Sequence, residues 1–459
     1  FYATSKMNYV KQKLKQIGID ASIAYSSGGR IVQGLTGLGS IYFIGTFLSA
    51  QEQGYYFTFS SLLALQVFFE LGLHNVITQF AAHENAHLTY DSDYNAMGPN
   101  EYASRLASIL RLSTKIFAWI STLFWIVITI AGYYFFSHSS ARIEDCHIDW
   151  MLPWILLSFL SSINLFLSPV YAIVMGLKRV KEISKIRFLQ SIFMPLSVWL
   201  GLILGIKLYA LALSSLVSVV IGLIYLNKQH IICQLKKIWK LQSSYTVSYK
   251  NEIFPLQWKV ALSWVSGYFI YQLFNPILFQ YVGAEVAGQM GMTMQVVNAI
   301  QAFAFSWMST KIPIYSTYIA QRRYELLDIL FQKTLKQMLS VCLVIIILFL
   351  VTLQYIDVFF PFRISNRFIS GMPLYLLCFS IISNQILSSY ANYLRCYKRE
   401  PLVVMSVIIA ALCAVSAFVC TSSFGMTGLV CGYTVIISFI ELPWAYAIYK
   451  NKKREWQQL

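Results

Sequence analysis

Apolar residues in this chain run in long blocks separated by short polar stretches. This is neither the one-sided stripe of a surface helix nor the alternation of a half-buried strand. A helix needs roughly 20 apolar residues to cross about 30 Å of hydrocarbon. Twelve such runs are predicted, at 29–49, 54–80, 113–136, 151–176, 187–206, 208–227, 258–282, 287–319, 338–356, 372–393, 402–421 and 425–449. Lys207 separates the fifth from the sixth, and Pro313 is expected to kink the long eighth run. The fold class predicted is an all-α polytopic membrane protein, with twelve transmembrane helices in two six-helix lobes around a central cavity.

Composition agrees: 57% of the 459 residues are hydrophobic and 12% are charged, against about 25% charged in soluble proteins. The net charge of +16 reads as topology. With the N-terminus in the cytoplasm, all but five of the 35 basic residues fall on that side. Arg142, Lys207, Arg363 and Arg367 lie outside and Lys311 within the membrane, so every pair of successive loops obeys the positive-inside rule. Both termini are then cytoplasmic and the helix count even. The basic charge points to anionic membrane lipids rather than nucleic acid. The eight cysteines lie mostly inside apolar runs and imply no disulfide framework.

The domain plan places a basic amphipathic segment on the cytoplasmic membrane surface at 1–28, without an apolar core for a cleavable signal. The N-lobe follows at 29–227, a cytoplasmic linker at 228–257, the C-lobe at 258–449 and a basic cytoplasmic tail at 450–459. The chain starts without Met, so the natural start is expected upstream. A weak internal repeat at an offset of 234 places Ala50 over Ala284, Gly54 over Gly288 and Phe69 over Phe303. Each trio leads into the second helix of its lobe, which is the parallel-repeat plan of transporters with a site between lobes. The stretches 83–105 and 321–336 read as connectors lying on the membrane surface.

Candidate chemistry starts from Lys311. A lysine at the centre of a span disfavours insertion by about 2.5–3.5 kcal/mol, so it is expected to face a wet cavity. Arg30 in the first span is the candidate second cation, either snorkelling or meeting a diphosphate with Lys311. Trp264, Tyr268, Tyr271 and Gln272 in the seventh run suit a hydroxyl-rich sugar, together with Gln295, Asn298 and Trp307 in the eighth and Gln33 in the first. The same residues also suit interfacial belts and packing. Gln66, Glu70 and His74 recur every fourth position and share a face if the second helix is continuous. Glu70 and His74 are the candidate ion-coupling pair, with a hydrogen-bonded structural pair as the alternative. Glu441 is a further buried acid. No phosphate-binding glycine loop occurs, so a proton or sodium gradient is the expected energy source rather than ATP, and no cofactor is implied. The cluster Glu144, Asp145, Cys146, His147 and Asp149 fits no zinc spacing and reads as a solvated outer loop, so no metal is assigned.

The stretches FLSAQEQGYYFTFSSLLALQVFFELGLHNVITQFAAHE, SWVSGYFIYQLFNPILF, AGQMGMT, AFSWMSTKIPIY and IAQRRYELLDILF resemble the polysaccharide transporter family. These are the O-antigen and capsule flippases of the multidrug/oligosaccharidyl-lipid/polysaccharide flippase superfamily. The motifs cover about a quarter of the chain. The resemblance implies a flippase in the bacterial inner membrane. It would move an undecaprenyl-diphosphate-linked oligosaccharide of lipopolysaccharide or capsule biosynthesis between leaflets by alternating access, beside other polysaccharide-assembly membrane proteins. Arg30 and Lys311 would then supply a cationic cavity like that of lipid II flippases. A cation-coupled multidrug exporter is the alternative within the superfamily, favoured by Glu70 and Glu441 and disfavoured by Lys311 and Arg30. An enzyme is not expected, because the longest outer loops, Ser137 to Trp150 and Asp357 to Gly371, offer little to build a site.

Overall fold

The computed structural model describes residues 21–458, apart from 141–147, 242–243, 360–363 and 398. Most of the N-terminal amphipathic segment and the acidic loop cluster from Glu144 to His147 therefore lie outside the described residues. The protein is an all-α polytopic membrane protein of twelve spans in two six-helix lobes.

In the first lobe, α1 (Ala21–Phe47) is followed by a broken second span made of α2 (Ala50–Leu63), α3 (Gln66–Glu70) and α4 (Leu73–Asn85). A two-stranded hairpin, β1 (Thr89–Tyr90) with β2 (Ala96–Met97), leads to α5 (Asn100–Ser140). Then come α6 (Met151–Gly176), α7 (Val180–Ile203) and α8 (Tyr209–Lys228). A short connecting helix, α9 (Ile231–Lys240), and a π turn at Tyr249–Ile253 precede the second lobe. Its seventh span is α10 (Phe254–Tyr271) with α11 (Phe274–Tyr281), and its eighth is α12 (Ala284–Ser309) with α13 (Ile312–Ala320). After them run α14 (Tyr324–Phe359), α15 (Met372–Arg395), α16 (Val403–Val435), a π turn (Ile436–Glu441) and α17 (Leu442–Gln457).

Unbroken apolar runs fold as the uniform pattern requires, because backbone groups in lipid must be paired within the helix. Among the described residues seven helical runs are long and apolar enough to cross a membrane. One of them, Val403–Gln457, is two spans that meet at Gly425, where φ is 58°. Only glycine takes that conformation without strain. The remaining crossings are α1 and the three broken spans.

These breaks differ from the expectation of smooth helices. In the second span Leu71 and Gly72 both take left-handed conformations, φ 47° and 69°, which end one helix and start the next at a bend of 45°. Gln66, Glu70 and His74 therefore do not share the face of one continuous helix. The eighth span breaks at Thr310 and Lys311, with Pro313 in the first turn of α13, where its missing N–H costs nothing. The stretch 321–336 is no separate surface helix. Arg322, with φ 57°, turns the chain, and Tyr324 begins the 36-residue α14.

The basic loops gather at one end of the bundle, called here the basic end. It carries Lys178, Lys181, Lys237, Arg322 and Arg399, whereas Lys207 and Arg367 sit at the opposite end. The connection 229–253 is bound to the first lobe. Ser104 and Ser108 Oγ accept from the Tyr245 and Val247 N–H groups at 2.9 and 3.0 Å. Arg105 bridges Glu84 at 2.9 Å and Glu252 at 2.7 Å.

Candidate functional site

The lobes meet through their second helices. Gly54 of α2 and Gly288 of α12, the pair aligned by the 234-residue repeat, cross with nothing between their backbones. A Cβ on Gly54 would stand 1.9 Å from the Ala284 carbonyl oxygen, and one on Gly288 would stand 2.8 Å from Gly54 N. One turn on, the Phe57 ring covers Gly291. Small residues permit such approach, and with little hydrophobic drive between helices in lipid, close packing and hydrogen bonds must hold the crossing.

Those hydrogen bonds are present at the end opposite the basic loops. Gln53 Nε2 donates to the carbonyls of Gly288 at 2.8 Å and Arg367 at 3.1 Å. Arg367 donates to Leu48 O at 2.8 Å. Glu52, in the capping turn of α2, pairs with Lys207 at 2.7 Å. Deeper in the bundle Tyr55 packs edge-on to Phe279, and Asn275 Nδ2 donates to Ser61 Oγ at 3.2 Å. This end is closed by backbone-to-backbone contact.

Gln295 joins α12 to α1 by donating to Gly37 O at 2.7 Å. Gln33 lies one turn toward the basic end from Gly37, and Asn298 one turn beyond Gln295 on α12; both are exposed. These three amides of the sequence reading are thus neighbours on two adjacent helices.

The two candidate cations are not level. Taking Gly37 and Gln295 as a common height, Arg30 is about 10 Å and Lys311 about 24 Å nearer the basic end at 1.5 Å per residue. Arg30 is described in its backbone alone. Lys311 occupies the break between α12 and α13, half-buried, with no acidic partner within ion-pair distance among the described residues. The next carbonyl, Ile312 O, is 4.0 Å from Cys396 Sγ, just past the last residue of α15. Lys311 therefore stands at the mouth of the bundle rather than at its middle. A cleft of about 410 Å³ opens beside it, lined by Ile312, Ser316, Asn392, Arg395 and Tyr397.

The aromatic candidates separate. Trp264 and Tyr271 are exposed, at 45% and 40%, as is Gln272 at the end of α10. Trp307 is half-buried, 5.5 Å from the Phe303 ring. Tyr268 is 5% exposed and stands edge-on to Phe68 of the first lobe at 5.3 Å. In this structure it is a wedge between the lobes.

Inside the first lobe, Glu70 and His74 do meet, through a residue the sequence reading missed. Ser168 Oγ donates to Glu70 Oε1 at 2.9 Å and lies 3.0 Å from His74 Nδ1. The tertiary partner α6 restores what the broken helix takes away. One turn up α6, Asn164 Oδ1 accepts from Ser218 Oγ at 3.0 Å, and Ser218 accepts from Gln190 Nε2 at 3.0 Å. Asn164 and Ser168, one turn apart on a helix that also carries Ser158, Ser161 and Ser162, were the signal for this strip.

The second lobe has its own polar interior. Ser380 pairs with Thr434 at 2.9 Å, Ser383 with Ser438 at 2.8 Å, and Asn384 Nδ2 donates to the Tyr433 hydroxyl at 3.0 Å. Glu441 is 3% exposed at the end of the π turn. Oxygens of Asn384, Gln385 and Glu441 are left without a partner in this interior.

No family model matches the chain, and no curated protein matches it. Solved structures do. An inward-facing multidrug resistance MATE family transporter of the MOP superfamily superposes with a TM-score of 0.58 at 11% identity, covering 93% of this chain and 99% of that one. The lipid II flippase MurJ, in an inward closed conformation, gives 0.58 at 12% identity, covering 93% and 87%. The MATE multidrug transporter DinF-BH gives 0.53 at 10%, covering 96% of each. At these identities the likeness is one of fold.

Proposed function

We propose that this protein is a flippase that moves an undecaprenyl-diphosphate-linked oligosaccharide across the bacterial inner membrane by ion-coupled alternating access, without covalent chemistry of its own. The basic end faces the cytoplasm, as the loop charges require. The observation that carries this reading is Lys311, a cation without an acidic partner among the described residues, set at a helix break at the mouth of the bundle. The start of α13 adds its partial positive charge to the ammonium, as broken helices do at anionic sites in transporters. A diphosphate headgroup fits that chemistry. Gln33, Gln295 and Asn298 lie farther in, where sugar hydroxyls would follow, with Trp264, Tyr271, Gln272 and Trp307 as aromatic and amide surfaces. Arg30, between the amides and the mouth, is the second cation along the path.

Coupling is assigned to Glu70 and His74 through Ser168, with Glu441 and its neighbouring oxygens as a second proton or sodium site. A multidrug exporter is the second reading, favoured by Glu441, a buried acid with an unpartnered oxygen.

Glycan display in a strain lacking its own flippase tests the proposal. Losing a charge-assisted hydrogen bond costs roughly 1.5–3 kcal/mol, about tenfold or more in affinity. Display is expected to fall in the order Lys311→Arg, Lys311→Ala, Lys311→Glu at equal membrane abundance. Normal display from Lys311→Ala, with export of organic cations intact, would replace the flippase reading by the exporter.

A further inference from the structure

The helix between the lobes has an outward face whose chemistry belongs to neither lobe. In α9, Ile231, Gln234, Leu235 and Ile238 are buried at i, i+3, i+4 and i+7, against α5 and α8. That spacing fixes one side of the helix to the first lobe. The other side presents Cys233, Lys236, Trp239 and Lys240, all exposed, with Ile232 half-buried beside them. Lys236 is one turn from both Trp239 (i+3) and Lys240 (i+4), so the three share one side of the helix.

The height of this face can be read from its cap. Arg111 of α5 donates through Nε to Trp239 O at 3.0 Å and through Nη2 to Leu241 O at 2.5 Å. It thereby satisfies carbonyls at the C-terminal end of α9 and complements the dipole there. Arg111 lies five residues before Ile116, where the apolar stretch of α5 begins after Lys115, about 7.5 Å along the helix. The capped end of α9, with Trp239 and Lys240, is therefore at the boundary between hydrocarbon and headgroups. An indole at that level is an interfacial anchor.

The charges are unbalanced on this face. No acid occurs in α9. The hairpin loop that carries Asp91 and Asp93 meets α9 at Lys237, which donates to Asp93 O, and among the described residues neither Lys236 nor Lys240 has a carboxylate within ion-pair distance.

We propose that the Lys236, Trp239 and Lys240 face of α9 is a binding surface for anionic phospholipid headgroups, with the indole in the interface and the two ammonium groups on lipid phosphates. A neutral bilayer would hold the tryptophan but leave both lysines without counter-charge. Each lysine near an anionic surface is worth about fivefold in lipid preference at moderate salt.

The test uses the full chain in nanodiscs, reading the fluorescence lost on Trp239→Phe substitution as the Trp239 signal. Brominated phosphatidylglycerol and brominated phosphatidylcholine are compared as quenchers. Half-maximal quenching is expected at a mole fraction of the anionic lipid at least about fivefold lower, the contribution of one lysine. The difference is expected to vanish in Lys236→Gln/Lys240→Gln, to persist in Lys236→Arg/Lys240→Arg, and to shrink in high salt. Equal quenching by both lipids would leave only an interfacial tryptophan and overturn the proposal. Absence of quenching by either would mean that the face looks into water, where a soluble partner rather than lipid would cover it. Both lysines are exposed, so the variants are expected to keep the size-exclusion profile of the parent.

Discussion

Gly54 and Gly288 touch backbone to backbone across the two lobes, and they are the same position of the internal repeat. Two equivalent helices that cross at equivalent points define a local two-fold axis through the contact. Closing or parting the lobes at that end must therefore make or break this one crossing first.

Gly54→Ala is expected to hold the lobes apart, because its Cβ would fall on the Ala284 carbonyl, which has no side-chain freedom to yield. A cysteine at Gln53 would then react with a membrane-impermeant thiol reagent added from that side, several-fold faster than in the parent background. Equal labelling would show that the helices can slide to accommodate a methyl group.

Ser168 makes its own prediction for coupling. Ser168→Ala removes the hydroxyl shared by Glu70 and His74 while keeping α6 apolar, so transport in vesicles is expected to lose most of its dependence on a pH gradient. Glu70→Gln should do the same. If both variants respond to the gradient as the parent does, the trio is a structural strut between α3, α4 and α6.

At the basic end, Arg105 serves two acids. Arg105→Ala strands Glu84, which is 2% exposed, and an unsatisfied buried group costs roughly 1–3 kcal/mol. A loss of several degrees in melting temperature in detergent is expected, and less from Glu252→Gln, because Glu252 is more exposed.

The Glu252 carboxyl also sets a pH dependence. The Ser248 N–H and then Arg105 hold it below its ordinary value of 4.5. A depressed carboxyl contributes stability above its unfolded pKa and loses it as pH falls through the folded one. The melting difference between the parent and Glu252→Gln is thus expected to be flat above about pH 5.5 and to shrink below about pH 4.5. A difference that grew on acidification would reverse the assignment.

In the second lobe, Glu441→Gln keeps the size of the side chain but removes a negative charge from a nearly closed interior. Thermal shift on adding sodium, or on acidification, is expected in the parent and not in the variant. An identical response would move ion coupling entirely to the first lobe.

The amino-acid sequence by itself determined the membrane class, the twelve crossings and the repeat equivalence of Gly54 and Gly288. Long apolar runs have one stable form in lipid, and repeat-equivalent positions keep their order along the chain. It also marked the chemical types in play: a stray lysine, three amides, buried acids. Tertiary structure decided how these residues stand to one another. The left-handed turn at Leu71 and Gly72 leads into α4, which packs on α6, and no periodicity records it. Ser168 acquires its importance only because α6 brings it between Glu70 and His74. Lys311 moved from the middle of a span to its mouth because α12 and α13 together exceed the bilayer, and Tyr268 became a wedge because Phe68 of the other lobe faces it. In each case the deciding contact joins residues far apart in the chain, and a pattern within one helix carries no information about which neighbour it will meet.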